Sequence, residues 1–461
     1  MYSKQLTYLF LFLFLWATGY SQKIITLKEA VETAVNNYPS IKAKSNYINA
    51  SKAVVEQTKR EALPNFILSI QQDYGTINGQ NGALYGLGGY GVASSGAALP
   101  SQNWNAGFGG LYLTNVNWDF FAFGRVKERV KAAQSYITRD ENDQQQELFQ
   151  HQIKVAAAYL NLLAAQRITR SQQYNLNRAD TIKKVVTTRA KNGLIAGVDS
   201  SQANAEVSNA KSALILAKDA EQERANQLAL LMGIPQQDFV LDSLFVNTLP
   251  AAFVDTVTVM HPLLQYYKSR IDVSEQQLRY IKTLKYPTFS LFGVFQTRGS
   301  GFSSNYTVDQ SAYTHDYFEG IKPTRSNYLL GVGATWNITS LARIKQQEKA
   351  QSFVSKGLQE EYNTINLQLK AQQSLAETKI ANAIANYNEA PVQVKSASDA
   401  YLQKSVLYKN GLTNIIDVTQ TLYALNRAET NRDIAFSNVW QSLLLKAASM
   451  GDFNLFISQV K

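Results

Sequence analysis

The sequence of 461 residues has no cysteine, only three histidines, and no long apolar run after its first 21 residues. The absence of cysteine excludes a disulfide scaffold, thiolate metal ligands and a lipid-bearing N-terminal cysteine, so we predict an unlipidated protein. The histidines, His151, His261 and His315, lie far apart and lack the paired spacing of a metal site. No nucleophile, base and orienting residue share a local motif. We therefore predict no metal, no cofactor and no enzymatic activity.

The first 21 residues have the layout of a secretory signal. Lys4 precedes an apolar run at residues 6–17, and the small residues Gly19 and Ser21 follow it. The run is shorter than the roughly 20 residues that a membrane-spanning helix needs. We predict a signal peptide at residues 1–21, cleaved after Ser21, and the alternative is an uncleaved anchor.

The formal net charge of +10 raises the question of an anionic partner. The lysines and arginines are spread along the predicted helices and alternate with Glu, Gln and Asn, which is typical of a solvated surface. We therefore predict no binding of nucleic acid. The 45% of hydrophobic residues is sufficient for a large folded structure.

The second half of the chain repeats the first. Two prolines have counterparts at a constant spacing of 223 residues: Pro39 with Pro262 and Pro64 with Pro287. Two further blocks have counterparts at a spacing of 218 residues: 118–127 with 336–345, and Lys-Asn-Gly-Leu at 191–194 with the same residues at 409–412. The spacing changes only between residues 64 and 118, in a glycine-rich stretch that is expected to be a loop.

Because the duplication covers most of the chain, it defines the predicted domain organisation. The signal peptide is followed by the first repeat at residues 22–233 and by an inter-repeat linker at 234–250. The second repeat lies at 251–452, and a C-terminal tail occupies 453–461.

Each repeat contains a very long helical pattern. Residues 124–192 and 342–410 show an almost uninterrupted helical periodicity, which corresponds to helices of about 100 Å at 1.5 Å per residue. Each long helix is predicted to turn at Lys-Asn-Gly-Leu and to return as a shorter helix, which lies at 198–232 in the first repeat. A simple coiled coil would give the same apolar stripe, and periodicity alone leaves both interpretations open.

The pattern changes to strands after a proline in each repeat. Pro64 disfavours helix at the preceding residue, so the helix that begins at Pro39 is predicted to end near Leu63. Beyond it, apolar and polar residues alternate with a period of two. Two strands are predicted in each repeat, at about 65–75 and 108–120 and at about 288–297 and 326–338.

These features together resemble the TolC family of outer-membrane factors, which have two repeats of helix, strand, strand, helix. The resemblance lies in Asn-Tyr-Pro at 37–39, in Trp118 and Trp336 at strand ends, and in both Asn-Gly-Leu turns with the Asp and Gln that follow them. It extends over almost the whole mature chain, from about Thr26 to about Asp452.

The resemblance implies a fold class that is mainly α with a transmembrane β part. Three copies would form a homotrimer whose 12-stranded β-barrel is continuous with a long periplasmic α-helical barrel. The strand pattern independently predicts that several chains close one barrel, because four strands cannot leave their edges unpaired in lipid. The implied location is the cell outer membrane, in contact with its lipid.

The resemblance also assigns candidate site residues around the two turns. The turns would form the periplasmic tip and contact a periplasmic adaptor protein: Asn192, Gly193, Leu194, Asn410, Gly411 and Leu412. Asp417 corresponds to the aspartate of an entrance ring, and Asp199 and Tyr408 correspond to a pair that helps to hold the entrance closed. Three copies of Asp417 on one axis would favour cations there.

An alternative for both aspartates is a purely structural role. Each lies at the start of a helix, where a negative charge complements the helix dipole, and the two roles are compatible. The sequence departs from the family pattern at Gln420, where some members have a second aspartate, and at Thr413, where a link-forming arginine can occur. The motif Gly86-Leu-Gly-Gly-Tyr-Gly91 fits a dinucleotide-binding pattern, but no helix follows it, so we interpret it as an extracellular loop.

Two functional hypotheses follow. The first is a passive outer-membrane channel of a tripartite efflux or type I export system, which receives substrate from a periplasmic adaptor and an inner-membrane RND or ABC pump. The second is a periplasmic coiled-coil scaffold or an envelope-spanning structural protein without a pore, in which the strands are soluble hairpins. Aromatic residues near the strand ends favour the channel, because such residues collect at membrane interfaces. The sequence does not identify the cargo.

Overall fold

The computed structural model describes residues 24–79, 97–242, 245, 248–250 and 260–460. The predicted signal peptide and the Gly86–Gly91 motif lie outside these residues. The first part of the chain contains β1 (Ile24–Ile25), α1 (Leu27–Asn37), α2 (Pro39–Arg60), β2 (Asn65–Thr76), β3 (Ala106–Phe121), α3 (Arg125–Lys191) and α4 (Gly197–Met232). The second contains β4 (Val240–Leu241), α5 (Pro262–Thr283), β5 (Thr288–Ser300), α6 (Tyr317–Ile321), β6 (Arg325–Thr335), α7 (Ser340–Lys409), α8 (Ile415–Met450) and α9 (Asn454–Ile457).

The fold is mainly helical, and the order helix, strand, strand, helix is present in both halves. The chain divides into two compact units. The helical unit consists of Met1–Asn49, Thr138–Ile271 and Gly357–Lys461, and the sheet unit consists of Ala50–Ile137 and Asp272–Lys356. Among the helices of the described ranges, none is both long and apolar enough to cross a membrane.

The core of the helical unit forms where the two repeats and the connection between them meet. The hydroxyl of Tyr159 donates to the carbonyl of Ile25 at 2.9 Å and accepts from the backbone N–H of Asp242 at 3.1 Å, beside the parallel pair of β1 and β4. The fully buried Trp440 packs edge-on against Phe245, with ring centroids 5.0 Å apart. Three residues of the predicted linker, Phe239, Leu241 and Phe245, are therefore buried in this core.

The two returning helices end in the same way. Gly233 and Gly451 adopt the left-handed conformation at the ends of α4 and α8, with φ angles of 65° and 75°. A Cβ atom on Gly451 would lie 2.7 Å from the Cα atom of His261, so no side chain fits there. The ring of His261 is held by the backbone N–H of Leu263 at 3.1 Å and by the carbonyl of Ala448 at 3.0 Å.

The sheet unit contains one antiparallel sheet with the strand order β2, β3, β5, β6. Strand β3 of the first repeat pairs with β5 of the second, so the two hairpins form one sheet. Residues directly opposite one another share a face. The apolar face contains Phe66, Leu68, Ile70, Tyr74, Tyr112, Val116, Leu291, Phe295, Tyr328, Leu330 and Val332. The polar face contains Asn65, Ser69, Gln71, Asp73, Asn115, Asn117, Gln296, Arg298, Arg325 and Asn327, with some apolar residues.

A tryptophan fixes the junction of helix and strand in each repeat. The indole N–H of Trp118 donates to the carbonyl of Ala62 at 2.8 Å, and that of Trp336 donates to the carbonyl of Lys285 at 3.1 Å. Helix α2 ends at Arg60 rather than near Leu63. The difference arises because residues 61–63 form a tight turn before Pro64.

Two glycine substitutions should change stability in opposite directions. Gly357→Ala lies within α7, where no atom of the described ranges is within 4 Å of the new Cβ atom, so we expect a gain of about 1 kcal/mol from helix propensity. Gly451→Ala places a side chain in a left-handed position against His261, so we expect a loss of more than about 1 kcal/mol. Chemical unfolding followed by the circular dichroism of the helices measures the free energy of unfolding of both variants. A change in the same direction for both would contradict the conformations assigned to Gly357 and Gly451.

Candidate functional site

The two Asn-Gly-Leu turns have the same geometry. Gly193 and Gly411 adopt left-handed φ angles of 72° and 77°, which lets the chain reverse at the ends of α3 and α7. The backbone N–H of Leu194 donates to the carbonyl of Arg189, and that of Leu412 donates to the carbonyl of Leu407, both at 2.9 Å. Both leucine side chains are largely exposed. All six predicted tip residues thus lie on two matching turns of the helical unit.

Arg189 joins the two turns. Its Nη1 atom donates to the carbonyls of Tyr408 at 2.6 Å and Lys409 at 3.1 Å, and its guanidinium lies 5.5 Å from the centre of the Tyr408 ring. These bonds satisfy carbonyl groups at the end of α7 that have no partner within the helix. Arg189 has no signature in the sequence, because its hydrogen-bond partners are backbone atoms.

Tyr408 is buried in a small apolar cluster with Val186, Ala203, Ile415 and Val418. Its hydroxyl has no hydrogen-bond partner within the described part of the chain. Burial, and secondarily the charge of Asp199, raise the pKa of Tyr408, while Arg189 opposes them. Asp199 is therefore close enough to act through its charge, but the two side chains form no hydrogen bond. The closing role of this pair remains a prediction.

Asp417 accepts two hydrogen bonds on its Oδ2 atom. Lys404 donates at 2.8 Å and Thr413 donates at 2.7 Å. The hydrogen bonds from Lys404 and Thr413 hold the pKa of Asp417 below its usual range, so the carboxylate is charged at neutral pH. Asn414 caps α8 by accepting from the backbone N–H of Asp417 at 2.9 Å. Asp417 thus lies in the first turn of α8 but is not its N-cap.

Further links connect the repeats along the same helices. Arg178 of α3 forms a bidentate ion pair with Glu429 of α8, at 3.1 and 2.5 Å. The hydroxyl of Tyr423 in α8 donates to the largely buried carboxylate of Glu206 in α4, and this bond raises the pKa of Tyr423. Gln420 lines a groove beside this pair. The arrangement can hold the helices of the two repeats together.

The described residues show no group of three or more His, Cys, Asp or Glu side chains that could hold a metal ion. The three histidines have separate environments. His151 stacks on Tyr38 with ring centroids 3.8 Å apart, His261 contacts backbone atoms at the end of α8, and His315 lies 3.4 Å from the hydroxyl of Tyr74.

Comparison with known proteins agrees with this architecture. Residues 30–234 match the family model of the outer membrane efflux protein. This match confirms the resemblance that the repeated motifs predicted. A comparison with curated proteins gives no match.

The fold is similar to those of solved outer-membrane proteins. VceC from Vibrio cholerae is 17% identical, with 92% of this chain and 96% of that chain covered and a TM-score of 0.71. The CmeC outer membrane channel of Campylobacter jejuni is 15% identical, with coverages of 92% and 85% and a TM-score of 0.72. The open state of the Neisseria gonorrhoeae MtrE outer membrane channel is 14% identical, with coverages of 92% and 89% and a TM-score of 0.71. At these identities, the likeness shows the fold.

The two turns differ in the capping of the helix that follows. Asn414 caps α8, whereas its counterpart Ala196 provides no side-chain cap for α4. We expect Asn414→Ala to destabilise the first turn of α8 by about 1 kcal/mol and Ala196→Asn to stabilise that of α4 by a similar amount. Amide hydrogen exchange at Asp417 should become faster in the first variant, and exchange at Asp199 should become slower in the second. Unchanged exchange in both would contradict the assigned caps.

Proposed function

We propose that the protein is the outer-membrane channel subunit of a tripartite efflux or type I export system. Three copies form a passive conduit from periplasm to exterior, and an inner-membrane pump supplies the energy through a periplasmic adaptor. The observation that carries this proposal is the contrast between the two faces of the sheet.

The apolar face exposes large side chains that a soluble hairpin would cover. Phe66 is 70% exposed, Tyr328 80% and Leu330 75%. Exposed apolar side chains of this extent mark a surface that contacts lipid or another protein. Because the opposite face is mostly polar, the sheet has the alternation of a barrel with lipid outside and water inside. A periplasmic scaffold without a pore would have no use for this alternation.

The open edges of the sheet support closure by several copies. Strands β2 and β6 are the edges of the four-stranded sheet, and their outer backbone groups have no strand partner in the described chain. In lipid such groups must pair. Pairing β6 of one copy with β2 of the next would satisfy both edges, and three copies would give twelve strands.

The duplication also predicts the register of this pairing. Thr114 of β3 lies opposite Phe295 of β5. Their repeat counterparts are Val332 of β6 and Gln72 of β2, at the spacings of 218 and 223 residues found in the sequence. Val332 of one copy should therefore lie opposite Gln72 of the next.

Oxidation of the double variant Val332→Cys/Gln72→Cys should give a ladder of linked chains that ends at three copies on a non-reducing gel. Within one chain the edges are separated by three strand spacings of about 4.8 Å, too far for a disulfide, so each link must join two copies. The matched control Val332→Cys/Gln71→Cys points one cysteine to the polar face and should stay unlinked. The native chain has no cysteine to interfere. A ladder ending at two, or no ladder from folded protein, would contradict the trimer.

Conductance of the purified protein in planar bilayers tests the channel and its entrance. We expect discrete openings that trivalent cations block from the side of the two turns. Asp417→Asn should raise the half-blocking concentration by about tenfold, because three negative charges leave the entrance. Lys404→Gln should lower it, because the carboxylate loses its ion pair.

The two variants test the role of Asp417 at the entrance, whereas the presence of conductance tests the channel itself. Block that is unchanged in both would leave the channel intact and limit Asp417 to the start of α8. The absence of conductance from a folded oligomer would overturn the channel proposal.

A further inference from the structure

The segment between β5 and β6 folds back onto the apolar face of the sheet. We call residues 316–322, which include α6, the collar segment. The hydroxyl of Tyr112 donates to the carbonyl of Ile321 at 3.1 Å, and the hydroxyl of Tyr317 donates to Gln72 at 2.7 Å. The ring of Tyr317 also packs edge-on against Phe108, with centroids 5.2 Å apart. The collar segment therefore covers one end of the apolar face, where β5 ends and β6 begins.

Glycines on both partners make this contact possible. A Cβ atom on Gly299 would lie 2.5 Å from the carbonyl oxygen of Lys322, and one on Gly110 would lie 3.0 Å from that of Ile321. A Cβ atom on Gly320 would lie 2.6 Å from the Cβ atom of Phe108. Any side chain at these positions would hold the backbones apart. The close packing of the collar segment on the sheet therefore depends on the three glycines Gly110, Gly299 and Gly320.

The collar segment presents an apolar side chain outward while it covers the sheet. Phe318 is 75% exposed, and the neighbouring Tyr317 is partly exposed. On the same sheet face, the band from Phe66 to Tyr74 extends about 26 Å along β2 at about 3.3 Å per residue, which spans about 20 Å of membrane height at a strand tilt of about 40°. Apolar bands of outer-membrane barrels are about 25 Å tall and end in girdles of aromatic residues. The collar segment lies at the end of the band that faces away from Pro64, which is where such a girdle belongs.

We propose that the collar segment is a lipid-binding anchor at the boundary between headgroups and acyl chains of the outer leaflet. Phe318 inserts among the acyl chains, while the polar ends of α6 and Lys322 remain among the headgroups. Aromatic residues collect at this boundary in outer-membrane barrels, and the ring of Tyr317, beside Phe318, has the amphipathic character that favours it. The inference rests on the proposed outer-membrane location, and it makes the collar segment, but not the rest of the loop between β5 and β6, part of the membrane-embedded surface.

Spin labels on single cysteines test the anchor, since the native chain has none. Phe318→Cys reports the collar segment, Leu330→Cys reports the middle of the apolar face, and Val308→Cys reports the same loop outside the collar segment, where the side chain is 90% exposed. The labelled protein is reconstituted in phosphatidylcholine vesicles with phosphatidylglycerol. Relaxation of each label by oxygen, which concentrates in lipid, is compared with relaxation by a water-soluble nickel chelate.

We expect oxygen to dominate at positions 318 and 330 and the nickel chelate to dominate at 308. Dominance of the nickel chelate at 318 with oxygen at 330 would overturn the anchor and leave the proposed function intact. Dominance of the nickel chelate at 330 would overturn both the membrane location and the anchor.

A second pair of variants tests whether the glycine contact holds the anchor in place. Gly299→Val in the Phe318→Cys background should push the collar segment off the sheet and move the label towards water. Gly75→Val is the matched control, because no atom of the described residues lies within 4 Å of a Cβ atom there, and it should leave the label in lipid. An unchanged signal in Gly299→Val would show that the sheet contact does not position Phe318.

Discussion

The backbone pairing of β3 with β5 is the contact on which the sheet unit depends. Each repeat contributes one hairpin, and a two-stranded hairpin alone is marginally stable in water. The pairing is continuous from Gly109 to Trp118 on β3 and from Leu291 to Ser300 on β5, and after an irregularity it includes Phe121 opposite Phe289. It converts two hairpins into one sheet and makes their apolar faces continuous. It also determines which strands remain at the edges and so where another copy would have to attach.

In the helical unit, side chains rather than backbone bonds join the repeats, and here the two copies have diverged. The counterpart of Lys404 in the first repeat is Val186, which is buried beside Tyr408. Asp417 therefore has an ion pair that Asp199 lacks in the equivalent position. The two turns therefore have similar backbones but different side-chain contacts. The duplication accounts for the shared backbone, and later substitutions account for the different contacts.

Much of the fold could be predicted from the sequence because its signals are local. Prolines mark the starts of helices, the change of period marks the strands, and the repeated motifs place equivalent elements twice. The contacts between distant segments were not predictable in this way. Arg189 bonds to backbone carbonyls, and Glu206 meets Tyr423 from another repeat, so neither contact has a local pattern. The only sequence signal of the collar segment's contact with the sheet is a set of glycines, and a glycine in a strand can have several structural causes.

The tryptophan at each helix-strand junction has a consequence for how the sheet assembles. A slip of two residues between antiparallel strands keeps every side chain on its own face, so the apolar pattern alone does not oppose it. Such a slip would carry Trp118 about 7 Å along the strand and away from the carbonyl of Ala62. The same holds for Trp336 and Lys285 in the second repeat. The indole hydrogen bonds therefore favour the native register over slipped registers that would bury the same apolar side chains.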